Sequence, residues 1–259
     1  MKKILQAANI IALAVTIAIN YISNTGIFNG NTIASVSAKY DNLLTPAGYT
    51  FSIWSLIYVS LSAFVIYQGM SLFRKGETPE VVLQAGWWFV ISCAANCLWV
   101  ISWLYEYTGL SVVLMLILLF SLSRIIVRTN MEFYDASFKT VAFVWWPVSY
   151  YSGWITIALL ANVAAYLTKI QWDGFGLSKE IQAIIMIGIA VVINLFLTWK
   201  RNMREFAFVG SWGLTGIAVA NYGRSQEVFI AALLAAVILF VSSFSHGYKN
   251  RNYFPWRKR

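Results

Sequence analysis

Charge is scarce in this chain. Asp, Glu, Lys and Arg together make up 11 % of its 259 residues, against about 25 % in a soluble globular domain. So few charges cannot solvate a chain of this size, which excludes a soluble fold. All ten acidic residues fall in polar connections or at the ends of apolar runs. A proton-coupled transporter usually needs a carboxylate or histidine at mid-membrane that can change its charge, so that class is disfavoured. The single histidine, His246, stands at the end of the last apolar run and reads as an interfacial residue. No lysine lies in the middle of a run, which argues against a Schiff-base lysine. The two cysteines, Cys93 and Cys97, share one helix face at i, i+4. Parallel projection from one helix is poor geometry for a disulfide, and two sulfurs are too few for a metal site, so they read as small packing residues. No Gly-rich phosphate loop, metal-ligand cluster or Ser/His/Asp set is visible. Hydrolytic and phosphoryl-transfer catalysis have no residues to run on, and neither a catalytic nor a metal-binding residue is assigned.

What the chain has instead is apolar length. Hydrophobic residues make up 59 % of it, the mean hydropathy is +0.67, and the apolar residues come in blocks of roughly twenty, enough to span a bilayer as helix. The blocks fall at about 4–22, 50–70, 84–105, 109–127, 140–166, 180–200, 206–222 and 227–245. They are continuous rather than alternating, which excludes a transmembrane β-barrel. The expected class is an all-α polytopic membrane protein. The seventh block is the weakest, since Gly210, Gly213 and Gly216 lower helix propensity.

Charge placement orients the spans. With eight of them, only Lys39, Lys169, Lys179 and Arg224 fall on one side, and the other fifteen of the nineteen basic residues fall on the other. By the positive-inside rule both termini are cytoplasmic. The net charge of +9 then calls for anionic lipid at that face rather than nucleic acid. The tail Lys249–Arg259, with Tyr253, Phe254 and Trp256, reads as an interfacial anchor. The first run follows Lys2-Lys3 like a signal peptide, but the cleavage-like Val36-Ser37-Ala38 lies too far beyond it, so it is expected to be a retained helix. The longest connection, about 23–49, is polar, faces outward, and is long enough to be a lid. Residues 71–83, containing Arg74-Lys75-Gly76-Glu77, read as a cytoplasmic turn, and Glu106-Tyr107-Thr108 as a tight hairpin. A softer boundary near 167–179 divides residues 1–167, with five firm spans, from 168–259, with three more.

Three spans place tryptophan beside a polar partner within the membrane: Trp54 with Tyr58, Asn96 with Trp99, and Trp154 with Asn162. Membrane tryptophans normally collect at the interfaces, and a buried amide is costly unless answered. At 1.5 Å per residue, Trp54 and Tyr58 lie about 6 and 12 Å from the outer end of their span, Trp99 and Asn96 about 9 and 13 Å, and Asn162, Ala158 and Trp154 about 6, 12 and 18 Å. All fall in the outer half, beneath the long loop. Asn96/Trp99 (i, i+3) and Trp154/Ala158/Asn162 (i, i+4, i+8) each share a helix face. Two readings stay open: an aromatic-walled pocket with a few hydrogen-bonding points, or helix-packing glue in which amides bridge helices and indoles fill gaps.

At these residues the chain resembles the translocator protein family, the tryptophan-rich sensory proteins (TspO/MBR). Pro46-Ala47-Gly48-Tyr49-Thr50-Phe51-Ser52-Ile53-Trp54-Ser55-Leu56-Ile57-Tyr58 is similar to the family pattern at its second helix, Asn96-Cys97-Leu98-Trp99 to Asn-x-x-Trp on the third, and Trp154 with Ala158 and Asn162 to the fifth. The likeness covers about residues 4–167. Phe51 stands three residues before Trp54 where the family has four, a second proline is missing there, and Pro147 precedes Trp154 by seven residues rather than four. The resemblance implies a five-helix TspO-like bundle, to which the last three spans are an extension. It also implies a pocket capped by the first loop, binding a tetrapyrrole such as protoporphyrin or haem, a sterol-like lipid or an aromatic drug.

The expected function is therefore an integral membrane sensor or carrier for a hydrophobic aromatic ligand. Trp54, Tyr58, Trp99 and Trp154 are its expected walls, Asn96 and Asn162 its hydrogen-bonding points, and Ala158 the small residue that leaves room. Flat apolar rings suit indole walls. The alternatives are a porphyrin-degrading membrane enzyme, or an uncoupled permease in which Asn194 and Gly213 line a path. The one cofactor that the resemblance implies is a bound tetrapyrrole. Membrane lipid, a hydrophobic small molecule and a second copy of the chain are the expected partners, in a membrane of the bacterial plasma-membrane type.

Overall fold

Each apolar run folds as helix in the computed structural model, which describes residues 1–73 and 78–250. The Arg74–Glu77 turn motif and the aromatic tail with Tyr253, Phe254 and Trp256 lie outside the described residues. The long helices are α1 (Lys2–Ile22), α2 (Ile53–Phe73), α3 (Trp88–Leu104), α4 (Thr108–Arg128), α5 (Trp146–Lys169), α6 (Lys179–Arg201), α7 (Arg204–Asn221) and α8 (Gln226–Lys249). No strand occurs among the described residues. The protein is an all-α polytopic membrane protein.

Six of these helices are long and apolar enough to cross a membrane: α1, α2, α4, α5, α6 and α8. The block expected at 84–105 breaks at Gly86, whose φ of +52° suits a residue without Cβ. Continuous helix therefore starts only at Trp88. The 17 residues of α3 span about 26 Å at 1.5 Å each, short of a hydrocarbon core of about 30 Å. The remaining helix, α7, is the weak seventh run. A π turn over Val141–Trp145 leads into α5.

Helix α1 turns polar side chains inward and several apolar ones outward. On α1 the buried residues are Leu5 and its neighbour Gln6, then Asn9, Leu13, Thr16 and Asn20 at steps of three and four, which make one stripe. Ile4, Ile11, Val15 and Ile17 face outward. A bilayer rewards an apolar exterior and forces polar groups to find partners inside.

Contacts divide the chain into two compact units, one of Met1–Val36 with Trp54–Val148, the other of Ser37–Ile53 with the residues from Ser149 on. In the first, α3 packs along α4 and α1 along α3, around Ile57, Leu61, Phe64, Phe89, Met115 and Leu118. The Phe64 and Phe89 rings lie 5.1 Å apart. Asn29 and Asn31 donate side-chain amides to the Leu104 carbonyl (3.3 and 2.9 Å) and the Trp103 indole donates to Ile33 O (3.2 Å). The early part of the long connection thus closes the open end of α3.

In the second unit α7 and α8 pack along each other and both contact α6. The shared core is rich in small residues: Ala183, Ala190, Ala218, Ala232, Ala235 and Ala236 alternate with Ile187, Leu214, Ile217 and Leu239. Helix association in lipid relies on close van der Waals approach rather than on expelling water, so alanine and glycine at the seam let backbones come near. A Cβ on Gly153 would meet Phe206 O at 3.0 Å and Val209 Cβ at 3.2 Å, and one on Gly213 would meet Ile157 Cγ2 at 2.7 Å. Gly213, one of the glycines that weaken α7 as an isolated helix, is what seats it against α5.

Candidate functional site

The four residues expected from the second and third spans lie in the first unit, and three of them form a stack. The Trp54 ring lies 5.3 Å from Tyr58 with the planes 18° apart, and 6.5 Å from Trp99 with the planes 25° apart. Trp54 and Tyr58 are one turn apart on α2, so their rings point the same way; Trp99 comes from α3. Trp99 is buried, while Trp54 and Tyr58 are half-buried. Near-parallel rings at this spacing present flat π-faces of the kind that stack on another aromatic system. The Tyr58 hydroxyl is buried with no hydrogen-bond partner among the described residues, an arrangement that costs free energy until something accepts or donates there.

Asn96 lies three residues before Trp99 on α3 and is fully buried. Its Oδ1 accepts from Asn20 Nδ2 on α1 at 2.7 Å, and the same Asn20 amide also donates to Thr16 O at 2.9 Å. Part of the Asn96 amide is therefore a bridge between helices. A second such bridge joins α1 to α2: Gln6 Nε2 donates to the Gln68 carbonyl and to Ser71 Oγ (2.8 Å), and Asn9 Nδ2 donates to Gln68 Oε1 (2.9 Å). These α1 amides are not among the residues expected from tryptophan placement, although the Gln6, Asn9, Thr16, Asn20 stripe is a readable signal in the sequence. Thr16 Oγ1 also approaches Cys97 Sγ at 3.5 Å, on the face that Cys93 shares.

Trp154, Ala158 and Asn162 lie in the second unit. Trp154 and Asn162 are buried and Ala158 is half-buried. Trp154 meets Phe51 edge-on, with ring centres 5.9 Å apart and planes at 82°. Phe51 is carried by a 3₁₀ turn, Gly48–Ser52, and that turn is tied to α7. The Ala47 N–H donates to Gly216 O at 3.0 Å, the Trp212 indole donates to Thr50 O at 3.0 Å, and Tyr49 sits edge-on to Trp212 with ring centres 5.6 Å apart. The motif Pro46–Tyr58 is thereby divided: residues through Ile53 belong to the second unit and Trp54 onward to the first. Nothing local in the chain marks Thr50, Trp212 and Gly216 as a set, because their link spans more than 160 residues of sequence.

Asn194, Gly213 and His246 have packing roles. Asn194 on α6 donates to Ala190 O at 2.8 Å, and its side chain fills the space that a Cβ on Gly210 would need. Gly213 seats α7 on Ile157. His246, expected at the interface, is buried: its Nε2 lies 3.2 Å from Asn202 Oδ1 and its ring is edge-on to Trp199 at 5.3 Å. The turn after α6, with Asn202 in the left-handed region, folds over it.

No curated protein and no solved structure matches the chain. A family model described as TSPO-like protein matches residues 6–245, from the first turn of α1 into the last turns of α8. That match covers far more than half of the sequence, α6, α7 and most of α8 included. The chain belongs to the TSPO-like protein family.

Proposed function

We propose that this membrane protein binds a flat, hydrophobic aromatic ligand of the tetrapyrrole type and acts as its sensor or carrier. The observation that carries the reading is the Trp54–Tyr58–Trp99 stack. Three rings held nearly parallel by two helices, beside a buried phenol hydroxyl with no partner among the described residues, offer a ready face for a planar ring and one hydrogen-bonding point to orient it. Membership of the TSPO-like family supports the same class. Asn96 enters as an expectation from sequence; its Oδ1 already accepts from Asn20. Trp154, Ala158 and Asn162 enter as an expectation from sequence, to be tested separately. The membrane orientation proposed with this reading has both termini in the cytoplasm.

The test is a titration of purified protein in maltoside micelles with protoporphyrin, following tryptophan fluorescence. Saturable quenching is expected, weakened at least tenfold by Trp99→Leu and by Trp54→Leu, with circular dichroism and melting confirming that the variants are folded. Non-saturable quenching, or saturable quenching that both variants leave unchanged, refutes the ligand class or the site.

A further inference from the structure

The second unit holds a cavity of about 390 Å³, within the range of small-molecule sites, that shares no residue with the aromatic set. It lies where α5 ends, α6 begins and α7 turns into α8, and residues 41–44 of the long connection complete it. Leu44, Leu167, Ala183 and Met186 give it an apolar interior. Asp41, Arg224, Lys179, Glu180 and Trp172 bring polar and charged groups to its lining. An apolar interior and a charged rim at the ends of membrane-crossing helices match an amphiphile that lies along a bilayer with its head at the water boundary.

The charges narrow the head. Asp41 and Arg224 answer each other at 2.8 Å. Lys179 and Glu180, adjacent in the first turn of α6, have opposite signs and no ion-pair partner among the described residues. A purely anionic head would meet Lys179 but be opposed by Glu180, and a purely cationic head the reverse. Trp172 stands beside them, edge-on to an exposed Phe175 at 5.3 Å, and an indole face attracts quaternary ammonium. The connection that presents this pair holds two non-glycine residues in the left-handed region, Gln171 (φ +52°) and Phe175 (φ +56°). Such strain persists where the surroundings over-determine a conformation, and it collects at ligand clamps.

We propose that this cavity is a second ligand site, for one zwitterionic amphiphile of the phosphocholine class. Its chain lies against Leu44, Leu167 and Met186, its phosphate meets Lys179, and its quaternary ammonium lies between Glu180 and Trp172. The site stands independently of the aromatic stack.

Native mass spectrometry of the full chain released from maltoside micelles tests it, with dioctanoylphosphatidylcholine, dioctanoylphosphatidylglycerol and free phosphocholine as probes. The expected result is one saturable phosphatidylcholine adduct, with phosphatidylglycerol and free phosphocholine each binding at least tenfold more weakly. Glu180→Lys, a surface change that leaves the apolar interior intact, should lower the phosphatidylcholine-to-phosphatidylglycerol preference at least tenfold. Trp99→Leu should leave it unchanged, which separates this site from the aromatic one. The proposal is overturned if no saturable phosphatidylcholine adduct forms, if phosphatidylglycerol binds as tightly, if free phosphocholine binds as tightly, or if Glu180→Lys leaves the preference unaltered.

Discussion

Gly216 is where one methyl group should do the most damage. In the middle of an exposed helix, Gly→Ala stabilises by up to about 1 kcal/mol through propensity. At Gly216 a Cβ would run into Thr50 Oγ1, Cγ2 and Cβ. Thr50 is fully buried, and its β-branched side chain has no rotamer that clears all three contacts. The Gly48–Ser52 turn must therefore lift from α7, at an overpacking cost of about 1–3 kcal/mol. Lifting it also strains the Ala47–Gly216 and Trp212–Thr50 hydrogen bonds, each worth about 0.5–1.5 kcal/mol. After subtracting the propensity gain, Gly216→Ala should destabilise by about 2 kcal/mol, roughly a thirtyfold loss in the ratio of folded to unfolded protein. The control is Gly188→Ala on α6, where the added Cβ meets nothing within 4 Å. That variant should be neutral or gain up to about 1 kcal/mol. Reversible unfolding of both in mixed maltoside and dodecyl sulfate micelles measures the difference. If Gly216→Ala proves as stable as Gly188→Ala, the close seating of the Pro46–Ser52 segment on α7 is wrong, and so is the placement of Phe51 against Trp154.

Further outcomes follow from other contacts. Asn20→Leu should cost about 1–2 kcal/mol by leaving buried Asn96 Oδ1 without its 2.7 Å donor; Asn20→Leu with Asn96→Leu should recover part of that loss, and a strictly additive double-mutant cycle would refute the bridge. Ser178→Ala should cost about 1 kcal/mol, because its Oγ caps the Ile181 N–H at the start of α6; unchanged melting would show that the cap contributes nothing. Asp41→Asn should change stability by less than about 1 kcal/mol, since the side chains of its ion pair with Arg224 are 46 and 40 % exposed; a larger loss in the same unfolding assay would assign the pair a structural role.

About half of the aromatic site is legible in the chain alone. Trp54 and Tyr58 on one span and Trp99 on the next stand out because tryptophan at membrane depth is unusual, and their ring stack follows from helical spacing plus one helix pair. Asn96 stands out beside Trp99, but its partner Asn20 has no tryptophan near it to mark it. Phe51 is legible as part of a motif, yet its anchoring by Trp212 and Gly216 is not. Nothing local in a sequence shows that a glycine far along the chain leaves room for a threonine. The cavity at the α5–α6 connection is hidden for the same reason: Asp41, Lys179 and Arg224 are distant in sequence and each reads alone as a loop charge.

By itself the sequence determined the class and the helices. Scarce charge and runs of roughly twenty apolar residues leave the backbone no option in lipid but to satisfy its own hydrogen bonds, and that is a local requirement. It also marked the glycines that weaken α7, while the break at Gly86 emerged only in the structure. Tertiary structure alone decided which faces meet: that polar stripes turn inward on α1, that glycines seat α7 against α5 and Thr50, that one motif is shared between two packing units, and that charges from three distant segments converge on one cavity. Those are outcomes of close packing between segments far apart in the chain, where the size of a single side chain sets the distance, and periodicity along one helix carries no information about its neighbour.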